Sequence, residues 1–233
     1  MTGAVASYET KIPSDAGPTV TNYGELNRAY DFFNDRLFGG ELPRCLITMQ
    51  RHKGSYGYFC PEQFGSRDGE VVDEIALNPV HFSTRTVRQT LSTLAHEMAH
   101  LWQKHFGKYP RRAYHDKQWA KKMREIGLQP SSTGMPGGKE TGAKMSHYIV
   151  DDGPFARAFA EFEQLGMNEL FGDRLRISES EAAKTAREKK KASKTKFTCP
   201  GCELNAWAKP DARIMCGDCE TPMEPEETEG DDD

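Results

Sequence analysis

Apolar residues recur at helical spacing from about Tyr23 to Phe38, placing Leu26, Ala29, Tyr30, Phe33 and Leu37 on one face. Asn22, with Glu25 three residues on, reads as the cap of that helix, and Gly39-Gly40 as its stop. The period then changes. Arg44 to Arg51 alternates, with Cys45, Ile47 and Met49 on one side; Ser55 to Cys60 is rich in aromatic residues; Val71 to Leu77 runs into the breaker Asn78-Pro79. These three segments predict strands. A second helix follows, with Ser83 as its cap, Val87, Leu91, Leu94, Ala95, Met98 and Trp102 as its core stripe, and Gly107 at its end. A third covers Asp116 to Ile126 and buries Trp119, Met123 and Ile126, with Gly127 and Pro130 as terminators. After a glycine-rich loop over 131–142 and a short apolar stretch from His147 to Val150, a last helix starts near Pro154. Helices beside a small, mostly antiparallel sheet predict an α+β fold.

Composition divides the 233 residues into blocks. Residues 1–21, rich in Gly, Ser, Thr and Pro, read as a flexible N-terminus, and 22–175 as the main domain. Residues 176–196 form a basic linker, in which Lys184 to Lys196 holds seven Lys or Arg against one Glu. Residues 197–223 form a compact cysteine-bearing unit, and the tail 224–233 carries seven acidic residues. The N-terminus lacks the basic-then-apolar order of a signal peptide, and no apolar run approaches the roughly 20 residues of a bilayer span. The expectation is a soluble, cytoplasmic protein without a membrane partner, with association with the nucleoid open to it.

Four of the six cysteines form two pairs, Cys199-Pro-Gly-Cys202 and Cys216-Gly-Asp-Cys219, thirteen residues apart. In a chain without an export signal this spacing predicts a ribbon closed around one structural Zn2+, with Gly201 and Gly217 permitting the turns. So small a unit cannot build a sufficient core, and the metal would supply its folding energy. Cys45 and Cys60 stand alone in apolar surroundings and read as buried thiols. Trp207, Lys209 and Arg213 suggest stacking on a base with phosphate contacts, to which Lys189, Lys190 and Lys191 of the linker would add backbone charge. Against this, Trp207 could pack over the knuckles and the basic run be a solvated helix. The acidic tail would compete for the same basic surface as a tethered polyanion.

The second helix carries the chemistry. Each helical residue advances about 100°, so His100 lies only about 40° around from His96, and both imidazoles can hold one metal ion. Glu97 lies about 60° from His100, within reach of water activated by that ion. Two neutral nitrogens, a divalent cation and a carboxylate base are the parts of a zinc hydrolase, although a five-residue pattern also arises by chance. A catalytic zinc needs a third protein ligand. His105 faces the wrong way, about 180° from His96. His115, after a loop containing Pro110, suits the role, with Asp116 and Glu125 as alternatives. His147 and Tyr148 are candidates for oxyanion stabilisation, or plain strand residues. Lys108, Arg111 and Arg112 line the loop before His115, as cleft residues or as a solvated turn.

The runs LSTLAHEMAHLWQKHFG and YHDKQWAKKMREIGLQPS, with the strand DEIALNP before them, resemble the SprT family of zinc metallopeptidases from about Tyr23 to Leu170. The resemblance implies a zincin-like fold with one catalytic Zn2+ and an appended ribbon. It also implies a third ligand that opens a helix before Trp or Phe, which is His115 here. Gln103 and Phe106 occupy the places where a metzincin has Gly and His. Relatives of this kind include Spartan-type proteases that digest proteins crosslinked to DNA, so protein substrates and DNA are the implied partners. No clamp-binding or ubiquitin-binding motif follows the ribbon, which suits a bacterial or phage-type member. The rival expectation is a non-enzymatic DNA-binding or transcription-associated adaptor with structural metal sites.

Overall fold

A computed structural model describes residues 7–110, 114–167, 169–173 and 195–225. The chain forms two compact units, residues 1–173 and 174–233.

The first unit begins earlier than its periodicity predicts. Helix α1 spans Pro18–Phe38, with Gly17 as cap and proline in its first turn, where the missing N–H costs nothing. Asn22 is therefore not a cap. It sits one turn inside, and its side-chain amide donates to Phe171 O and accepts from Phe171 N–H, both at 2.8 Å. Within residues 7–17, Tyr8 is in contact with α1. Tyr8 meets Phe32 edge-on at 5.3 Å, and Arg28 Nε donates to Tyr8 O at 3.1 Å. Buried Glu25 neutralises the Arg28 guanidinium at 2.6 Å instead of completing a capping box.

Strands β1 (Leu46–Met49), β2 (Gly57–Gly65) and β3 (Val71–Leu77) form a sheet in the order β1-β3-β2. The hairpin pair β2 and β3 is antiparallel, but β1 lies on the far side of β3 and runs parallel to it. The sheet is mixed, because β3 returns between its predecessors. A register shift between Cys60 and Phe64 accommodates Pro61 and the left-handed Glu62 (φ 53°).

Helix α2 (Val87–Phe106) starts at Thr86, not near Ser83. Residues Pro79–His81 form a 3-10 turn first, and Thr86 and Gln89 then make a reciprocal capping box. The helix packs against β2, β3, α1 and the following helix α3 (Lys117–Glu125). From Thr90 to Ala99 every residue is buried, so the polar face expected opposite the core stripe is covered too. Val87 at the start stays exposed, and Trp102 is half-buried.

Asp116 caps α3 by accepting the N–H groups of Gln118 and Trp119. Beyond it, β4 (Leu128–Ser131) and β5 (Ser146–Ile149) form an antiparallel pair. Pro130, a terminator by sequence alone, lies within β4, where a two-stranded ribbon offers it an unpaired edge. Helix α4 (Pro154–Gln164) closes the core, where Phe32, Phe33, Phe155 and Phe162 pack with ring centroids 5.2–5.8 Å apart.

The second unit contains β6 (Thr195–Thr198), β7 (Asn205–Ala208) and β8 (Glu224–Pro225), all antiparallel, in the order β7-β6-β8. Linker residues 174–194, with Lys189, Lys190 and Lys191, lie outside the described residues, as do Arg111, Arg112 and residues 226–233 of the tail. Among the described residues four α-helices occur, and none is long and apolar enough to cross a membrane.

Candidate metal centre

His96 and His100 stand one turn apart on α2, and the chain brings His115 to them from the start of α3. A nitrogen from each of the three lies within 4.8 Å of the others. Ring centroids are 5.3 Å (His96–His100), 5.5 Å (His96–His115) and 4.7 Å (His100–His115) apart. A tetrahedral zinc with bonds of about 2.1 Å sets its nitrogen donors roughly 3.4 Å apart, so the cluster fits such an ion.

Local chemistry places His115. Its N–H and C=O pair with those of Gly142 at 2.9 and 3.0 Å, and its Nδ1 donates to Gly142 O at 3.1 Å. That contact leaves Nε2 for a metal. The next residue, Asp116, is spent on the helix cap and on Gln103 Nε2, which donates to it at 2.8 Å. Glu125 lies at the other end of α3 beside Lys121 and Lys122. Neither alternative ligand joins the cluster. His105 points elsewhere, to Asp73 on β3 at 2.6 Å.

Trp119, fully buried, underlies all three rings, at 4.9 Å from His96, 5.3 Å from His100 and 4.4 Å from His115. Phe59 of β2 lies nearly parallel to His100 at 6.4 Å. These walls keep the imidazoles neutral. Burial pushes His96 and His100 well below the ordinary histidine range, and repulsion among neighbouring imidazoles lowers them further. His115 is also lowered by burial, against the opposing pull of the Gly142 carbonyl and Asp116. Neutral imidazole is the form that binds a metal. Burial pushes the Glu97 carboxyl up to about 8, and a cation beside it acts in the opposite sense.

His147 is not free to stabilise an oxyanion, because both of its ring nitrogens are engaged. Nδ1 lies 3.0 Å from His96 Nδ1, and Nε2 lies 2.9 Å from Ser92 Oγ. Burial and the positive charge of Arg85 push it down to about 3. Trp119 reads from sequence only as a core residue, and Gly142 only as part of a loop. One signal for Ser92 was present, since it precedes His96 by one helical turn.

In the second unit the Sγ atoms of Cys199, Cys202, Cys216 and Cys219 also lie within 4.8 Å of one another. Zn–S bonds of about 2.3 Å set sulfurs roughly 3.8 Å apart, so these donors suit a closed tetrahedral site. Backbone N–H groups of Cys202 and Gly201 hold the Cys199 thiol down to about 6. The turn residues differ from expectation. Left-handed backbone falls on Glu203 (φ 58°) and Glu220 (φ 52°), whose N–H groups close the knuckles onto Cys199 O and Cys216 O. Gly201 is needed for close approach, as a Cβ there would meet Cys219 Sγ at 3.2 Å, while one at Gly217 would meet nothing. Trp207 is 63% exposed, and Lys209 and Arg213 are exposed with it.

Neither remaining cysteine is fully buried. Burial still pushes the Cys45 thiol up to about 12. Cys60 donates to Gln63 Oε1 at 3.0 Å in an exposed bond.

Residues 26–141, which include His96, Glu97, His100 and His115, match the sequence model of the SprT-like family. A curated relative from Salmonella typhimurium, the "Uncharacterized protein in mucB 3'region", is 58% identical over 59 residues, covering 25% of this chain and 80% of that protein.

Proposed function

We propose that this chain, which belongs to the SprT-like family, is a zinc-dependent peptidase of zincin-like fold. His96, His100 and His115 hold the catalytic ion, and Glu97 is the general base. The observation that carries this reading is the convergence of three neutral imidazoles, one of them followed directly by a buried carboxylate. Zinc in that cluster supplies Lewis acidity, which acidifies water and polarises a peptide carbonyl. Glu97, whose proton affinity burial raises, takes the proton from the attacking water and returns it to the leaving amine. Trp119 and Phe59 exclude bulk solvent from the ligand rings.

The substrates are proteins bound or crosslinked to DNA, as the family resemblance implies. The ribbon, closed by a structural zinc on Cys199, Cys202, Cys216 and Cys219, contributes the DNA contact. Trp207 pairs across the strands with Lys196 and is exposed, as are Lys209 and Arg213, which favours stacking on an unpaired base over packing on the knuckles. The basic linker at 176–196, with Lys189, Lys190 and Lys191, joins the protease domain at 22–175 to the ribbon at 197–223 and adds backbone charge. In an adaptor with only structural metals the histidine site would want a fourth protein ligand. Among the described residues its cluster has three members, which favours the enzyme.

The test is Glu97→Gln. It is expected to retain metal and to lower cleavage of a DNA-bound protein by roughly 100- to 10,000-fold. Undiminished cleavage would remove Glu97 from its role.

A further inference from the structure

His147 comes from β5, far in sequence from α2, yet it spans one turn of that helix. One ring nitrogen meets Ser92 and the other meets His96. The contact of Ser92 with the helix backbone sets the order of donors and acceptors along this line. The Ser92 hydroxyl donates its single proton to the carbonyl of Gln89 at 2.9 Å. Ser92 Oγ must then accept at its contact with His147, so the proton on His147 is on Nε2. In the neutral ring Nδ1 is left as an acceptor. At the 3.0 Å contact between the two Nδ1 atoms, His96 must therefore donate. A ring with its proton on Nδ1 presents the lone pair of Nε2. The reverse arrangement would put the proton of His96 on Nε2 and abolish it as a ligand through that atom.

We propose that His147 is a positioning residue, whose imidazole, fixed by Ser92, accepts the Nδ1–H of His96 and holds that ligand in the tautomer that frees Nε2 for the metal. Ligating histidines usually give this proton to a carboxylate or a backbone carbonyl. His115 does so with Gly142 O, and His96 uses an imidazole instead. Both partners, Gly142 and His147, come from the same stretch of chain leading into and through β5, so one segment orients one ligand on α2 and one just before α3. The inference rests on the proposal that His96, His100 and His115 hold a metal.

The experiment is cobalt(II) titration of the metal-free full chain. Cobalt in the four-cysteine site shows thiolate charge-transfer absorption, and cobalt on the imidazoles does not, so the two sites are read separately. His147→Phe keeps a ring in the space but offers no acceptor. It is expected to weaken the imidazole site by roughly 10- to 100-fold, the range for loss of such a partner. His147→Asn places Oδ1 where Nδ1 stood and is expected to recover most of that loss. Ser92→Ala, on a helix that tolerates alanine well, leaves both rings in place and is expected to weaken cobalt by a smaller factor with an unchanged melting temperature. Wild-type affinity in His147→Phe, an Asn variant no better than Phe, or unaltered binding in Ser92→Ala would each overturn the inference alone. A wild-type chain that takes up cobalt only with the thiolate band would overturn the metal-site reading, and this inference with it.

Discussion

The indole of Trp119 lies almost parallel to the imidazole of His100, 17° from coplanar with centroids 5.3 Å apart. The ring of Phe59 is also close to parallel with that of His100, at 11° with centroids 6.4 Å apart. Packing against these two aromatic neighbours restricts rotation of the His100 ring. Trp119 is fully buried, yet its Nε1–H has no hydrogen-bond partner among the described residues.

That unpaired donor separates two substitutions. Trp119→Ala is expected to cost about 3–5 kcal/mol through the cavity it leaves. Trp119→Phe is expected to cost much less, because losing an unsatisfied buried N–H offsets part of the lost volume. Urea unfolding of the two variants checks this, and equal losses would contradict it.

Asp116 serves His115 indirectly, by capping α3 and anchoring Gln103. Asp116→Ala should destabilise the fold by about 1–2 kcal/mol, and Asp116→Asn, which still caps, by much less. Denaturant midpoints decide it. A large loss in the Asn variant would show that the charge, and not the cap, matters.

Cys45 offers a pH signature. Its folded pKa is raised to about 12, against about 8.5 for a free thiol. The folded state therefore keeps the proton while the unfolded chain releases it, so this contribution is intact below about pH 8.5 and is lost as pH climbs toward 12. Between pH 7 and pH 10 stability should fall by on the order of 1–2 kcal/mol more in the wild type than in Cys45→Val. With zinc bound, an alkylating reagent at pH 8 should reach Cys60 first. Equal pH dependence of the two proteins would count against the burial of this thiol.

The ribbon buries only a small core of Phe197, Cys199, Cys216 and Met223, against which Ile214, Cys219 and three alanines pack partly exposed. A strong chelator should therefore unfold it while the helical signal of the first unit persists, because the metal supplies its folding energy. Near-ultraviolet dichroism of Trp207 against far-ultraviolet helix content tests this. An unchanged Trp207 signal after zinc loss would show that the ribbon stands without metal.

Trp207→Ala should weaken single-stranded DNA binding by about 1–3 kcal/mol, as loss of one stacked base does. Removing Lys209 or Arg213 should instead flatten the salt dependence by about 0.7 in log–log slope per contact. Fluorescence anisotropy at several salt concentrations separates the two, and identical effects would argue against stacking.

Local periodicity was enough to put His96, Glu97 and His100 on one helix face, since one turn of α-helix fixes their spacing. The two Cys-x-x-Cys pairs are local in the same way, each a tight turn offering two sulfurs. Helix limits were less legible. Asn22 has the chemistry of a cap, but Pro18 starts the helix sooner, and the Asn22 amide is used by Phe171, 149 residues away.

Tertiary structure alone decided the rest. The parallel pairing of β1 with β3 depends on where the β2–β3 hairpin returns, which no single strand encodes. His115 meets the other imidazoles because Gly142, Gln103 and the cap at Asp116 fix the start of α3. His147 reaches from β5 to His96 and Ser92, on the face of α2 that its own periodicity marks as polar. A sequence records which side chains share a local period, while contacts between segments far apart depend on how their surfaces pack, and that is settled only when the chain is folded.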